Sequence, residues 1–291
     1  MSTSPAPTVP ARTVPTRRIS FEESLQHLPK HFAGDEDLIA SHLAAVLSAM
    51  FPDGEDFFVR SVRNFRDRID DPALKRDVAG FIGQEAIHGR EHRVLNDRLA
   101  ELGYPTKRIE RGVKFGLGMR EKIASPMANL AATAALEHYT ATLAEILLSS
   151  EEAREQLGTA ELRDVFLWHA LEESEHKAVA FDVYRAVGGS ERTRRMQMNL
   201  ITVSFIFGVT ANAGLSLLRD RETYRKGRLR ASLGRMRRSP LFTKDVWARL
   251  RDYNRADFHP DDHETDELLA EWREELFGAE GRLNHMMAGA A

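Results

Sequence analysis

The sequence predicts an all-α chain built on a four-helix bundle with additional C-terminal helices. Three observations carry that expectation. Apolar residues recur at helical spacing from Phe21 onward, strand-like alternation between hairpin turns is absent, and Gly, Pro and N-cap residues punctuate the chain at bundle-length intervals. A chain of 291 residues, 42% of them hydrophobic, is long enough to bury a substantial core. Its 41 basic residues nearly balance 44 acidic ones, so no general field recruits nucleic acid, and none is expected as a partner. With no cysteine the chain can form no disulfide, thiolate metal site, cysteine-ligated iron–sulfur cluster or cysteine nucleophile. Any metal must be held by nitrogen and oxygen.

Residues 1–20 open with four prolines, many Ser and Thr and no acid before Glu22, which predicts a disordered tail rather than a signal peptide. An organellar transit peptide is the weaker reading, because no amphipathic pattern accompanies the arginines. Residues 21–190 are expected to form the bundle and 191–291 a helical extension. A short apolar helix over 35–50 breaks at Phe51-Pro52-Asp53-Gly54, and the next, over 55–69, puts Phe57, Phe58, Val62 and Phe65 on one side. Asp71 and Pro72 supply an N-cap and a first-turn proline for a helix over 73–102 that stops at Gly103, roughly 45 Å at 1.5 Å per residue. A Gly-rich connector and Ser125-Pro126 lead to an alanine-rich helix over 127–149, and a fourth helix over 160–187 ends at Gly188-Gly189. Four helices in this order are the chain plan of a bundle.

Glu85 and His88 stand three apart, as do Glu173 and His176, each pair near the middle of a long expected helix. Side chains at i and i+3 share a face, so each pair delivers a carboxylate and an imidazole to one point. A single Glu-x-x-His is a common accident on solvated helices, and the charges from Trp168 to Lys177 could by themselves form a wet face. Two pairs flanking an apolar helix that carries Glu137, and preceded by a helix opening with Glu55, make a pattern of one set per helix. That is the inward-facing ligand arrangement of ferritin-like di-iron and di-manganese bundles. Four carboxylates neutralise two divalent ions, and without metal they would repel one another at a heavy desolvation cost. Such donors suit iron, with manganese or zinc as alternatives.

The expected ligands are therefore Glu55, Glu85, His88, Glu137, Glu173 and His176. Glu137 is the most telling, since a lone acid in an apolar helix is costly unless paired. Glu55 is the weakest, because after a Pro-Asp-Gly break it reads equally as a first-turn acid favoured by the helix dipole. His92 and His169 project along the same stripes one turn away, as extra ligands, proton carriers or supports, and Glu172 could compete with Glu173 or orient an imidazole. These three are the candidate catalytic residues. His138, about 100° around its helix from Glu137, is expected against a neighbouring helix. For the three extra histidines an ordinary core or surface role weighs as much as metal binding.

The strings Phe51-Pro-Asp-Gly-Glu-Asp-Phe-Phe-Val-Arg-Ser-Val-Arg63, Phe81-Ile-Gly-Gln-Glu-Ala-Ile-His-Gly-Arg-Glu-His92, Leu136-Glu-His138 and Trp168-His-Ala-Leu-Glu-Glu-Ser-Glu-His-Lys177 resemble a bacterial family labelled predicted metal-dependent hydrolases. The likeness runs from about residue 35 to 225. It implies a ferritin-like helical fold with a dinuclear metal site, and the family's ligand positions match the six residues above without departure. The basic segment after Lys226 is less typical of it.

Residues 196–218 carry no charge and are long enough to cross a bilayer, yet Thr202, Ser204, Gly208, Thr210, Asn212, Gly214 and Ser216 dilute them. Positive charge on both flanks gives no orientation, so a helix lying on the bundle or dipping into a lipid interface is favoured over a true span. Residues 219–240 hold nine Arg or Lys against two acids, a stripe that could touch anionic lipid or simply face water. Glycine-rich nucleotide loops, a Gly-x-Ser-x-Gly elbow and His-Glu-x-x-His are all absent, which removes nucleotide-fold, serine-hydrolase and zincin readings.

Three functions follow from the six-ligand centre. The first is an oxygen-dependent di-iron oxidase or oxygenase acting on a small hydrophobic or lipid-like substrate, with electrons from an external donor because the chain has no flavin or sulfur site. The alternative is metal-dependent hydrolysis, in which His92 or His169 moves protons. The third is iron binding or storage, for which a bundle with a long extension is an awkward cage subunit. The expected location is the cytoplasm, with membrane association at the apolar segment.

Overall fold

The computed structural model describes residues 14–287. The fold is all-α: no strand occurs among the described residues, which pair as β only at the isolated bridge between Ile19 and Met287. The helices are α1 (Leu38–Arg63), α2 (Pro72–Glu101), α3 (Thr106–Ile123), α4 (Pro126–Ser149), α5 (Glu151–Gln156), α6 (Ala160–His176), α7 (Val179–Ala186), α8 (Glu191–Arg219), α9 (Arg228–Met236), α10 (Lys244–Asp252) and α11 (Asp266–Phe277).

Local chemistry sets most of these boundaries. Asp71 caps α2 by accepting from Ala73 N at 2.9 Å, Pro72 opens its first turn, and Gly103 beyond its end takes a φ of 95°. Ser125 caps α4 in the same way, with Pro126 following.

Four expectations are corrected. The break at Phe51-Pro52-Asp53-Gly54 does not occur, and α1 runs through it with Pro52 inside. Pro52 has no N–H for the carbonyl of Ser48 one turn back, and Asn96 Nδ2 donates to that carbonyl instead at 3.1 Å, so the helix continues. The Gly-rich connector is helical, because Ile109 and Val113 of α3 pack against Val46, Ala49 and Met50 of α1. The helix expected over 160–187 is two, parted at Lys177 and Ala178, where Lys177 Nζ reaches Glu145 Oε1 at 2.9 Å, His263 O at 2.7 Å and Thr265 Oγ1 at 3.0 Å.

The fourth correction concerns the N-terminal tail, of which residues 1–13 lie outside the described residues. From Val14 onward the chain is a strap packed on the bundle, with Arg17, Ile19 and Phe21 buried. It crosses α2 at Gly80 and Gly83, where any side chain would collide with Val14 and Thr16.

Two apolar clusters divide the interior along its axis. One joins Phe57 and Val62 of α1, Phe81 of α2, Ala131 and Ala135 of α4 and Val183 of α7 with Met198, Ile201, Leu250 and Tyr253 from beyond residue 190. The other joins Ala45 of α1, Leu95 and Leu99 of α2, Leu147 of α4, Val165 and Trp168 of α6 and Phe21 of the strap. The order of these residues along each helix makes α2 and α4 run opposite to α1 and α6. Between the two clusters all four helices turn charged side chains inward.

Candidate metal centre

Each of the six expected ligands comes from the stretch of helix between the two apolar clusters, and each is buried. Glu55 lies mid-helix on α1, so its reading as a first-turn acid falls. Gly89, next to His88, leaves the space that Glu55 fills: a Cβ there would lie 3.2 Å from Glu55 Oε2. Glu55, Glu85 and His88 offer donor atoms within 4.8 Å of one another, as do Glu85, Glu137 and His176. Glu85 belongs to both groups and joins them into one centre. Glu173 adds Oε1 at 3.5 Å from both His88 Nδ1 and His176 Nε2.

Unmet polar atoms separate these six from their neighbours. Both carboxylate oxygens of Glu55, Glu85 and Glu137, Oε2 of Glu173, Nδ1 of His88 and Nε2 of His176 are buried without a hydrogen-bond partner. His176 Nε2 lies 3.2 Å from Glu85 Oε1 and 3.2 Å from Glu137 Oε2, a ring nitrogen between two carboxylates with no bond to either. Each orphaned buried polar group costs about 1–3 kcal/mol, more when charged, so a set this dense is a candidate site for a cation. The donors fit a pair of divalent ions of the iron, manganese or zinc type.

The other nitrogen of each imidazole is engaged from behind. His88 Nε2 meets Glu172 Oε2 at 3.0 Å, and His176 Nδ1 meets Gln84 Oε1 at 2.9 Å. Arg17 of the strap then binds Glu172 at 2.9 Å and both oxygens of Glu175 at 2.8 Å, while Gln84 Nε2 donates to Glu175 Oε2 at 2.9 Å. These partners fix the ring orientations that a metal requires. Glu172 therefore stands behind His88. Arg17, Gln84 and Glu175 lie outside the sequence motifs; the signal for them is in Glu172 and Glu175, acids three apart on a helix otherwise buried by Trp168 and Leu171, which demand a buried cation.

His92 and His169 form a chain into the centre. Asn96 Oδ1 accepts from Ser48 Oγ at 2.7 Å, Ser48 Oγ meets His92 Nδ1 at 2.9 Å, and His92 Nε2 meets His169 Nδ1 at 2.6 Å. His169 Nε2 is hydrogen-bonded to Glu173 Oε1 at 2.9 Å and lies 3.7 Å from Glu55 Oε1. Phe51 packs edge-on to both rings, with centroids 4.8 and 4.9 Å away. His138 is elsewhere, bonded through Nε2 to Arg249 O at 2.9 Å and packed on Tyr253 and Phe258.

The electrostatics follow from burial and crowding. Burial, then the charges of Glu85 and Glu173, pushes the Glu55 carboxyl well above its ordinary range, and burial with Glu173 does the same to Glu137. Burial also raises Glu85. At Glu173 burial acts upward, but His176, His169 and His88 outweigh it and hold the carboxyl well below its usual value. At His88 and His176 burial acts downward and is outweighed by surrounding carboxylates, so both are raised well above 6.5. Burial and the charge of His88 lower His169 to about 4, and burial with the nearby His169 holds His92 well below 6.5. The ligand set thus holds protons that a metal would displace.

A profile of the family described as predicted metal-dependent hydrolase matches residues 15–264. Comparison with curated proteins and with solved structures returns no match. The match covers most of the chain, so the chain belongs to that family.

Proposed function

We propose that this member of the predicted metal-dependent hydrolase family is a dinuclear metal enzyme of ferritin-like helical design that hydrolyses a small hydrophobic substrate. The observation that carries the reading is the set of orphaned donor atoms on Glu55, Glu85, His88, Glu137, Glu173 and His176, with Glu85 common to both groups of ligands. Glu55, Glu85 and His88 would hold one ion; Glu137, Glu173 and His176 would hold the other, with Glu85 between them. Bound ions supply Lewis acidity for hydrolysis and, if ferrous, electrons for dioxygen. His169, bonded to Glu173 through Nε2 and to His92 through Nδ1, is placed to relay a proton released at the centre toward His92. Glu172 and Gln84 keep His88 and His176 in place during turnover. Phe51, Phe81 and Trp168 pack on the imidazoles and keep bulk water out.

A second reading, an oxygen-dependent oxidase or oxygenase, is favoured by the donor set itself, since four carboxylates and two imidazoles from four helices are the ligands of di-iron and di-manganese bundles. Loading the metal-free chain under nitrogen with manganese, zinc or ferrous iron separates the two. Cleavage of hydrophobic ester substrates by the manganese or zinc form, without oxygen consumption by the ferrous form, supports hydrolysis. Stoichiometric oxygen uptake with a new near-ultraviolet absorption, and no ester cleavage with any metal, supports the oxidase. Accumulation of many irons per chain would assign the centre to storage.

A further inference from the structure

Among the described residues two helices leave an apolar face without a partner. α8 exposes Met196, Leu200, Val203 and Phe207 at three- and four-residue steps, and α3 exposes Phe115, Met119 and Ile123 in the same way. Phe115 and Phe207 are each 72% exposed and Ile123 80%, which a soluble surface rarely concentrates in one place. Both helices pack on α1. Arg120 late in α3 donates to Gln197 Oε1 early in α8 at 2.6 Å, while Ile109 early in α3 and Ala213 late in α8 share a cluster with Val46 and Ala49 of α1. They therefore run antiparallel, each with its free stripe turned away from α1.

Cations rim these stripes. Arg108, Arg111, Lys114 and Lys122 of α3 are exposed, as are Arg219 and Arg225 at and beyond the end of α8. α8 is also the one helix among the described residues long and apolar enough to cross a membrane. It is nevertheless pinned to the bundle along its length. Buried Arg194 donates to the carbonyls of Tyr253 and Arg255, Tyr139 donates to Thr202 Oγ1 at 2.7 Å, and Ser216 Oγ pairs with His42 Nδ1 at 2.7 Å. Only its outer side is free, which suits a helix lying on a surface rather than spanning one. A second copy of the chain meeting this face about a two-fold axis would bring the cationic rim against itself. An anionic bilayer complements both parts, since apolar side chains enter the headgroup boundary while guanidinium and ammonium groups meet phosphate.

We propose that the α3/α8 face is a docking surface for an anionic lipid bilayer, on which the chain sits peripherally. The metal centre lies close behind it: Gly208 of α8 abuts Met50 of α1, and the next residue, Phe51, packs on His92 and His169.

Flotation of the full chain with vesicles of phosphatidylcholine alone, and of phosphatidylcholine mixed with phosphatidylglycerol, tests this whatever metal is bound. The expected result is binding to the mixed vesicles that weakens as salt rises, with little binding to the neutral ones. Phe207→Glu should lower that partition about tenfold by placing a charge in the apolar stripe. Arg111→Glu, which leaves the stripe whole, should lower it about fivefold. Both substitutions are at exposed positions, so circular dichroism and metal content stay unchanged. No binding to mixed vesicles, or binding that neither variant weakens, overturns the proposal. A stable dimer in sedimentation that Phe207→Glu dissociates, without lipid binding, overturns it in favour of a second copy.

Discussion

Among the described residues two places gather histidine and carboxylate closely enough to hold a cation, and they are opposite in kind. Around Asp220 every contact is met. Its Oδ2 lies 2.9 Å from His31 Nε2, 3.2 Å from His42 Nε2 and 3.1 Å from Lys30 Nζ, its Oδ1 accepts from Glu222 N at 2.9 Å, and His42 Nδ1 pairs with Ser216. None of the side-chain atoms of His31, His42 or Asp220 is a buried orphan. In the bundle centre the same residue types are deeper and orphaned. Residue type alone does not make a metal site; unmet donor atoms converging from rigid helices do.

The largest effect expected from this contrast is at Glu85, the residue common to both ligand groups. Glu85→Ala should strip the centre of both ions, read as metal per chain by mass spectrometry, while Asp220→Ala leaves metal content unchanged. Loss of metal in the second variant would erase the distinction.

Next is Arg17, whose removal leaves Glu172 and Glu175 buried with less counter-charge. Arg17→Ala should cost about 3–5 kcal/mol in urea unfolding. It should also weaken metal binding about 10–100-fold in a chelator competition, because Glu172 no longer holds His88 in place.

His42 and the raised carboxyls of the bundle centre, Glu55 and Glu137, should respond to pH with opposite sign. His42 has its value lowered to about 4 against an ordinary 6.5, chiefly by burial, so the unfolded chain takes up the proton first. Its contribution is complete above pH 6.5 and lost as pH falls, by roughly 2–3 kcal/mol near pH 4.5. Glu55 and Glu137 are raised in the metal-free fold, so they stabilise below about 4.5 and lose that contribution as pH rises through their folded values. Urea midpoints of the metal-free chain across pH 4.5–8 check both: His42→Gln should flatten the acid limb and Glu55→Gln the alkaline one.

The smallest effect is at Asp220 itself, where Asp220→Asn keeps the shape and the Glu222 cap but removes the charge. It should cost about 1–2 kcal/mol near neutral pH, measured by urea unfolding.

What the sequence made legible follows the range of the interactions involved. Glu85 with His88 and Glu173 with His176 could be read because a helix enforces their i, i+3 meeting locally, and Glu137 because an acid among alanines has few other reasons to be there. The continuity of α1 could not, since the bond that rescues Ser48 O from Pro52 comes from Asn96, 48 residues on. Arg17 was lost among the prolines of the opening segment for a related reason, as its acceptors on α6 are more than 150 residues away. The helical state of α3 was masked by Gly112, Gly116 and Gly118, whose weak propensity is overridden by packing on α1.

The most direct test of the central claim is anomalous diffraction from crystals of the full chain grown with manganese or ferrous iron. Two peaks should lie between α1, α2, α4 and α6, joined by the Glu85 carboxylate, with none at Asp220. A single peak at Asp220, or a bundle centre whose carboxylates bind no metal, would contradict it.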